Sequence, residues 1–173
     1  MENQVSSKSI ILNQGLYLGI ASVLINLVVY AMGNHLQPHW SVLPISMVIM
    51  TAFIVMGMKQ FKKGNGGIMT WGQAVKIGVG LTMISAVIVT IYNLIFANFI
   101  EPDFAQQMSA VQEQAWIDAG FNDEQIETSK KMAASFNGPL ISSAVGLVVA
   151  AFIGFIISAI AGAVMKETGE EQY

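Results

Sequence analysis

The chain reads as an all-α protein: an integral membrane four-helix bundle with an extracytoplasmic helical hairpin between the third and fourth membrane helices. Three observations predict this class. First, four apolar runs, about 10–33, 40–58, 75–100 and 140–165, are each long enough to cross the roughly 30 Å hydrocarbon core of a bilayer as a helix. Second, six of the eight lysines (Lys8, Lys59, Lys62, Lys63, Lys76 and Lys166) lie at one set of run ends, and the other two, Lys130 and Lys131, fall in the long loop where the rule is weaker. Third, the polar, acidic stretch at about 103–137 carries its own helical periodicity. With 54% hydrophobic residues, 11% charged residues and a mean hydropathy of +0.58, the 173 residues are too apolar for an ordinary water-soluble domain and read as a single membrane domain.

Composition also excludes several function classes. The net charge is −3, and all eight basic residues are lysines. Without the arginine fork or a basic patch, nucleic acid is not an expected partner. Cysteine is absent, which removes disulfides, thiolate nucleophiles and cysteine metal sites. Stability is expected to come from helix packing in lipid, the bilayer being the first partner of the chain.

The first run follows a short polar N-terminus with Lys8 at its edge. It is longer than the apolar region of a secretory signal, is interrupted early by Asn13 and Gln14, and lacks a small-x-small cleavage site, so a retained helix is expected. Gly15, Gly19, Ser22 and Asn26 fall on one of its faces, a stripe expected to serve helix packing, with the Asn26 amide bonding a neighbouring helix.

The connection Asn34 to His39 leads to Trp40, a residue suited to a membrane interface. His35 and His39 are spaced like ligands on one helical turn, but Pro38 removes its preceding residue from the helical region and no carboxylate lies nearby in sequence, so no metal site is expected. Pro44 falls in the first turns of the second helix, where a missing amide donor is tolerated. Met47, Met50, Met56 and Met58 read as adaptable packing, since neither cysteine nor histidine accompanies them.

Lys59, Lys62 and Lys63 are followed by a Gly64-Asn65-Gly66-Gly67 hinge. Lysines that flank membrane helices stay on the cytoplasmic side, which puts this loop, the N-terminus and the C-terminus inside. Thr70 and Gln73 have capping-box spacing, so the third helix is expected to start near Trp71. Gly78, Thr82, Ser85, Ala86, Thr90, Asn93 and Ala97 give it a small and polar side.

Between Glu101 and Pro139 the segment is acidic. Phe104, Met108, Val111 and Ala115 recur at helical spacing after Pro102 and Asp103, and Gly120 ends that helix. A second helix starts at Asn122 or Asp123, with Ile126, Met132, Ala133 and Phe136 as its apolar positions. The acids lack the dense spacing of a calcium loop, and no ion site is expected among them.

The fourth run, Leu140 to Met165, has a small residue at every fourth position: Ser142, Gly146, Ala150, Gly154, Ser158 and Gly162. Such a ladder lets another helix approach closely. Because four residues overshoot one helical turn by about 40°, the ladder rotates by roughly 200° along its length, and one straight partner cannot cover all of it. Lys166 and an acidic tail, Glu167 to Tyr173, follow.

The lead-in Gln73-Ala74-Val75-Lys76-Ile77-Gly78, the Ile100-Glu101-Pro102-Asp103-Phe104 exit from the third helix, and Asp123-Glu124-Gln125-Ile126 resemble the membrane proteins grouped as domain of unknown function 4199. The resemblance spans nearly the whole chain and implies a multi-pass protein of the bacterial cytoplasmic (inner) membrane, from the Bacteroidota. It carries over no catalytic or binding residue.

Three functional classes follow. The favoured expectation is a structural, assembly or partner-binding role, in which Gly15, Gly19, Ser22, Asn26, Gly146, Ala150, Gly154, Ser158 and Gly162 bind a second copy or another membrane protein and the acidic hairpin is presented outside. The alternative is a small-solute or ion transporter or channel acting as an oligomer, with Asn26, Tyr30, Thr90, Tyr92 and Asn93 along its path; its weakness is that no charged residue lies deep in any predicted helix. An enzyme is not expected, since there is no nucleophile paired with a base, no phosphate-binding loop and no metal cluster, and no cofactor is called for.

Overall fold

Six helices follow one another in the computed structural model, which describes residues 6–136 and 138–167: α1 (Ser7–Ala31), α2 (Val42–Gly64), α3 (Trp71–Ile95), α4 (Phe104–Asp118), α5 (Asp123–Phe136) and α6 (Pro139–Met165). Among the described residues the class is all-α, with no strand. Four helical stretches, Ser7–Ala31, Val42–Gly64, Trp71–Ile100 and Leu140–Met165, are long and apolar enough to cross a membrane. The acidic tail after Glu167 and the side chain of Phe136 lie outside the described residues.

Local chemistry sets the helix ends. α2 continues through Lys59, Lys62 and Lys63 to Gly64, six residues beyond the end expected from its apolar run. Lysines near a helix C-terminus complement its partial negative charge, so the charges complete the helix instead of following it. Gly66 and Gly67, at φ 65° and 86°, then reverse the chain in a conformation that disfavours other residues. Thr70 and Gln73 form the expected capping box: Gln73 N donates to Thr70 Oγ1 at 3.3 Å, and Thr70 N donates to Gln73 Oε1 at 2.8 Å. Asn122 and Gln125 reproduce this exchange at the start of α5.

At its other end α3 widens into a π-helical turn, Phe96–Ile100, where Glu101 N donates to Phe96 O. The turn precedes Pro102, and π-helical turns are frequent at functional sites. A tight connection links α4 to α5, and an ion pair joins Glu113 to Lys130 across the two helices.

The central helix is α3, which packs against α1, α2 and α6, while α1 also packs on α2. The main cluster of buried residues lies at one end of the bundle. Ile10, Leu18, Ile54, Met58, Phe61, Met69, Ala74, Ile77 and Leu81 meet where α1 and α3 begin and α2 ends, near the lysines. Several contacts seal this end. Met69 and Glu167 exchange two backbone hydrogen bonds of 2.9 Å, Lys62 forms an ion pair with Glu167, and the Trp71 indole donates to Ala159 O at 3.0 Å. By contrast, Val148, Phe152, Ile160 and Val164 of α6 are each more than 60% exposed (68%, 63%, 64% and 82%). So much exposed apolar surface on one helix suits contact with lipid, not water.

Candidate functional site

The small-residue faces behave differently along their length. In α6, the half near the lysine end is packed against α3: a Cβ added at Gly154 would lie 2.2 Å from Thr82 Oγ1, and one at Gly162 would lie 2.7 Å from Ala74 Cβ. Ser158 is fully buried, opposite Gly78. Further along, a Cβ at Gly146 would meet nothing within 4 Å. α1 divides at a similar level. Gly15 and Gly19 approach Ile84 and Ile88 of α3 so closely that added Cβ atoms would fall 2.7 Å and 2.6 Å from their side chains. Ser22 and Asn26 of the same stripe instead face open space.

That open space is a cavity of about 880 Å³ between the diverging helices, within the range of sites for drug-sized ligands. α1 contributes Leu18, Ser22, Asn26 and Tyr30; α2 contributes Leu43, Ser46, Met47 and Met50. Along α3 and the π-helical turn that continues it, Thr82, Ser85, Ala86, Thr90, Asn93 and Ala97 line it, six of the seven small and polar positions read from the sequence there, and α6 adds Ser142, Ser143, Gly146 and Ala150. Leu18 belongs to both the core and the cavity wall and so forms part of the floor. Asn26, Tyr30, Thr90, Tyr92 and Asn93, expected to lie along a solute path, all reach this one space.

Asn26 departs from expectation. Its amide donates to Ser22 O of its own helix at 2.8 Å and, among the described residues, bonds no neighbouring helix. The carbonyl one turn back lies within reach of the amide.

At the mouth, His35 and Glu101 meet, although they are far apart in sequence. His35 Nε2 lies 2.8 Å from Glu101 Oε2, with both side chains largely buried, and Gln107 donates to Glu101 Oε1 at 3.0 Å. Rings surround the pair: Tyr30 sits 5.0 Å from His35 and 5.0 Å from Phe96, both edge to face, and Phe104 stacks on His35 at 6.2 Å. Tyr92 lies 5.8 Å from Phe96. Sequence reasoning weighed His35 only as a metal ligand with His39 and missed this partner. The one available signal was a carboxylate at the exit of the third helix, on the same side of the bundle as the loop after the first. Among the described residues no three His, Cys, Asp or Glu side chains gather as a metal site.

No curated protein and no solved structure matches the chain. A family model does, over residues 13–167, from the second turn of α1 past the end of α6, and so includes most of the first long apolar helix and all of the other three. The chain therefore belongs to the family described as Protein of unknown function (DUF4199).

Proposed function

We propose that this protein binds a small organic molecule in the cavity and passes it across the membrane, as a small-solute transporter or channel. The observation that carries the reading is the 880 Å³ space itself, walled by apolar side chains and interspersed polar ones from four helices, with no lysine or carboxylate among them, and closed toward the lysine end by the packed core. Lysine placement orients it: the sealed end and both termini are cytoplasmic, the cavity opens outward, and α4 and α5 form the extracytoplasmic hairpin of a multi-pass bacterial inner-membrane protein. Solute can then enter from outside, and its release inward requires the contacts of Lys62, Met69 and Trp71 with α6 and Glu167 to open. The reading includes no enzymatic step and no cofactor.

Flux through reconstituted vesicles tests it. Vesicles loaded with a mixture of labelled small solutes should release at least one faster than protein-free vesicles, and Gly146→Leu, which fills open space, should abolish the difference. Release equal to that of protein-free vesicles for every solute would reject transport.

A second reading keeps the assembly role. Its support is the apolar surface of the hairpin, where Ile117, Phe121 and Met132 are 49%, 42% and 63% exposed beside acidic side chains. A second copy or another membrane protein seated there would cover them. The mass of the protein in a mild detergent, compared with that of Met132→Glu, separates the two: a defined complex lost on substitution supports assembly through the hairpin.

A further inference from the structure

Several hydrogen-bonding groups of the cavity wall on α1, α2 and α3 are turned so as to accept, beside the Tyr30 and Tyr92 phenols and the Asn93 amide, which can also donate. Ser22 Oγ donates to Leu18 O at 2.8 Å, Ser46 Oγ to Val42 O at 2.8 Å, and Thr82 Oγ1 to Gly78 O at 3.0 Å. Each hydroxyl hydrogen is thereby turned into its own helix, and each oxygen is left with lone pairs. Asn26 directs one Nδ2 hydrogen to the Ser22 carbonyl, which turns Oδ1 and its two lone pairs the other way and leaves the second Nδ2 hydrogen as a donor. No lysine lines the space and the chain has no arginine; among the described wall residues His35 can carry positive charge, and its Nε2 is turned to Glu101. The nearest formal negative charge at the mouth belongs to Glu101, behind His35, and the faces and edges of Tyr30, Tyr92, Phe96 and Phe104 surround that level.

Resting on the cavity as a binding site, we infer that its ligand is an amphiphilic organic amine: a compact apolar body with a head that donates hydrogen bonds and carries positive charge. The acceptors on α1, α2 and α3 receive the N–H donors, and aromatic rings attract the charge through their negative faces. An anion would meet lone pairs without the charged donors it requires. A bare metal ion would be far smaller than the space, since it needs oxygens at roughly 2.0–2.6 Å on several sides. The apolar residues Leu18, Leu43, Met47 and Met50 suit the body of the ligand.

The test is equilibrium dialysis of the purified full chain in lipid nanodiscs against three probes of matched shape, tryptamine, tryptophol and indolepropionate, with empty nanodiscs as the control. Tryptamine should bind at least about tenfold more tightly than tryptophol, the scale of one hydrogen bond made to a charged group, and indolepropionate weakest. Asn26→Leu should shrink the preference for the amine while leaving tryptophol binding in place. Ser22→Ala serves the same purpose should Asn26→Leu fail to fold. Equal binding of amine and alcohol, lost in Gly146→Leu, would overturn the amine inference and leave the cavity reading standing. Tightest binding of the acid would also overturn it. Binding of no probe above empty nanodiscs would count against both.

Discussion

Gly154 of α6 lies against Thr82 of α3 so closely that a Cβ on the glycine would sit 2.2 Å from the threonine Oγ1 and 2.9 Å from its Cβ. The approach depends on a missing side chain, because the Thr82 hydroxyl is already held by the Gly78 and Val79 carbonyls of its own helix. Eight residues away, Gly146 faces open space. Two glycines of one ladder thus serve opposite ends: one closes the bundle and the other leaves room.

This contrast gives the first prediction. Gly154→Leu forces α6 from α3 and should destabilise the fold by about 1–3 kcal/mol, the usual scale of overpacking. Gly146→Leu should change stability by less than about 0.5 kcal/mol, as for an unconstrained position. Thermal unfolding in one detergent measures both. Equal losses at the two sites would show that α6 does not diverge from α3.

The aromatic cluster at the mouth gives a second. Phe96 is 7% exposed and touches Tyr30, Tyr92, His35 and Phe104 in the π-helical turn. Phe96→Ala should cost about 3 kcal/mol through the lost contacts and the void left behind. Because the turn also carries the chain to Glu101, hydrogen exchange should rise around residues 96–104 and stay unchanged around Met58 and Ile77. A uniform rise along α3 would contradict a local role for the cluster.

Much of this arrangement was legible in the sequence. The capping box at Thr70, the turn at Gly120 and the four long apolar helices follow from local propensity and composition. The stripes Gly15 to Asn26 and Ser142 to Gly162 were legible as faces, since the 3.6-residue period fixes which side a residue occupies. Periodicity does not fix the distance to the next helix, so it could not say that Gly15, Gly19, Gly154 and Gly162 pack tightly while Ser22, Asn26 and Gly146 border a cavity. The His35 and Glu101 pair was hidden for a related reason. It joins a loop to a helix exit, and no spacing rule links such distant positions.

Orientation gives a third prediction. The natural chain has no cysteine, so single substitutions report without background. A cysteine at Ala115 in α4 should react in intact cells with a membrane-impermeant maleimide, and one at Lys63 should react only after the membrane is opened. The reverse pattern would show that the lysine loop lies outside and that the cavity faces the cytoplasm.

The fourth concerns the seal at the lysine end. The hydrogen bond from Lys62 to Glu167, followed by the lysine charge, holds the Glu167 carboxyl below the usual carboxylate range. A carboxyl with a lowered folded-state pKa contributes stability that is fully present above its ordinary value of 4.5 and is lost as the pH falls through the lowered value. The seal should therefore hold at neutral pH and loosen only in acid. Glu167 is largely exposed, so the ion pair itself adds little and is screened by salt. What it does add is register: it sits beside the two backbone bonds between Met69 and Glu167, and holding the carboxylate at Lys62 keeps that pairing aligned. Glu167→Gln should leave the thermal midpoint nearly unchanged at pH 7 and should remove the acid-dependent part of the distance distribution between spin labels at residues 66 and 164. A natural chain whose label distances do not move between pH 7 and pH 3 would show that the backbone bonds and the Trp71 anchor hold the seal without the ion pair.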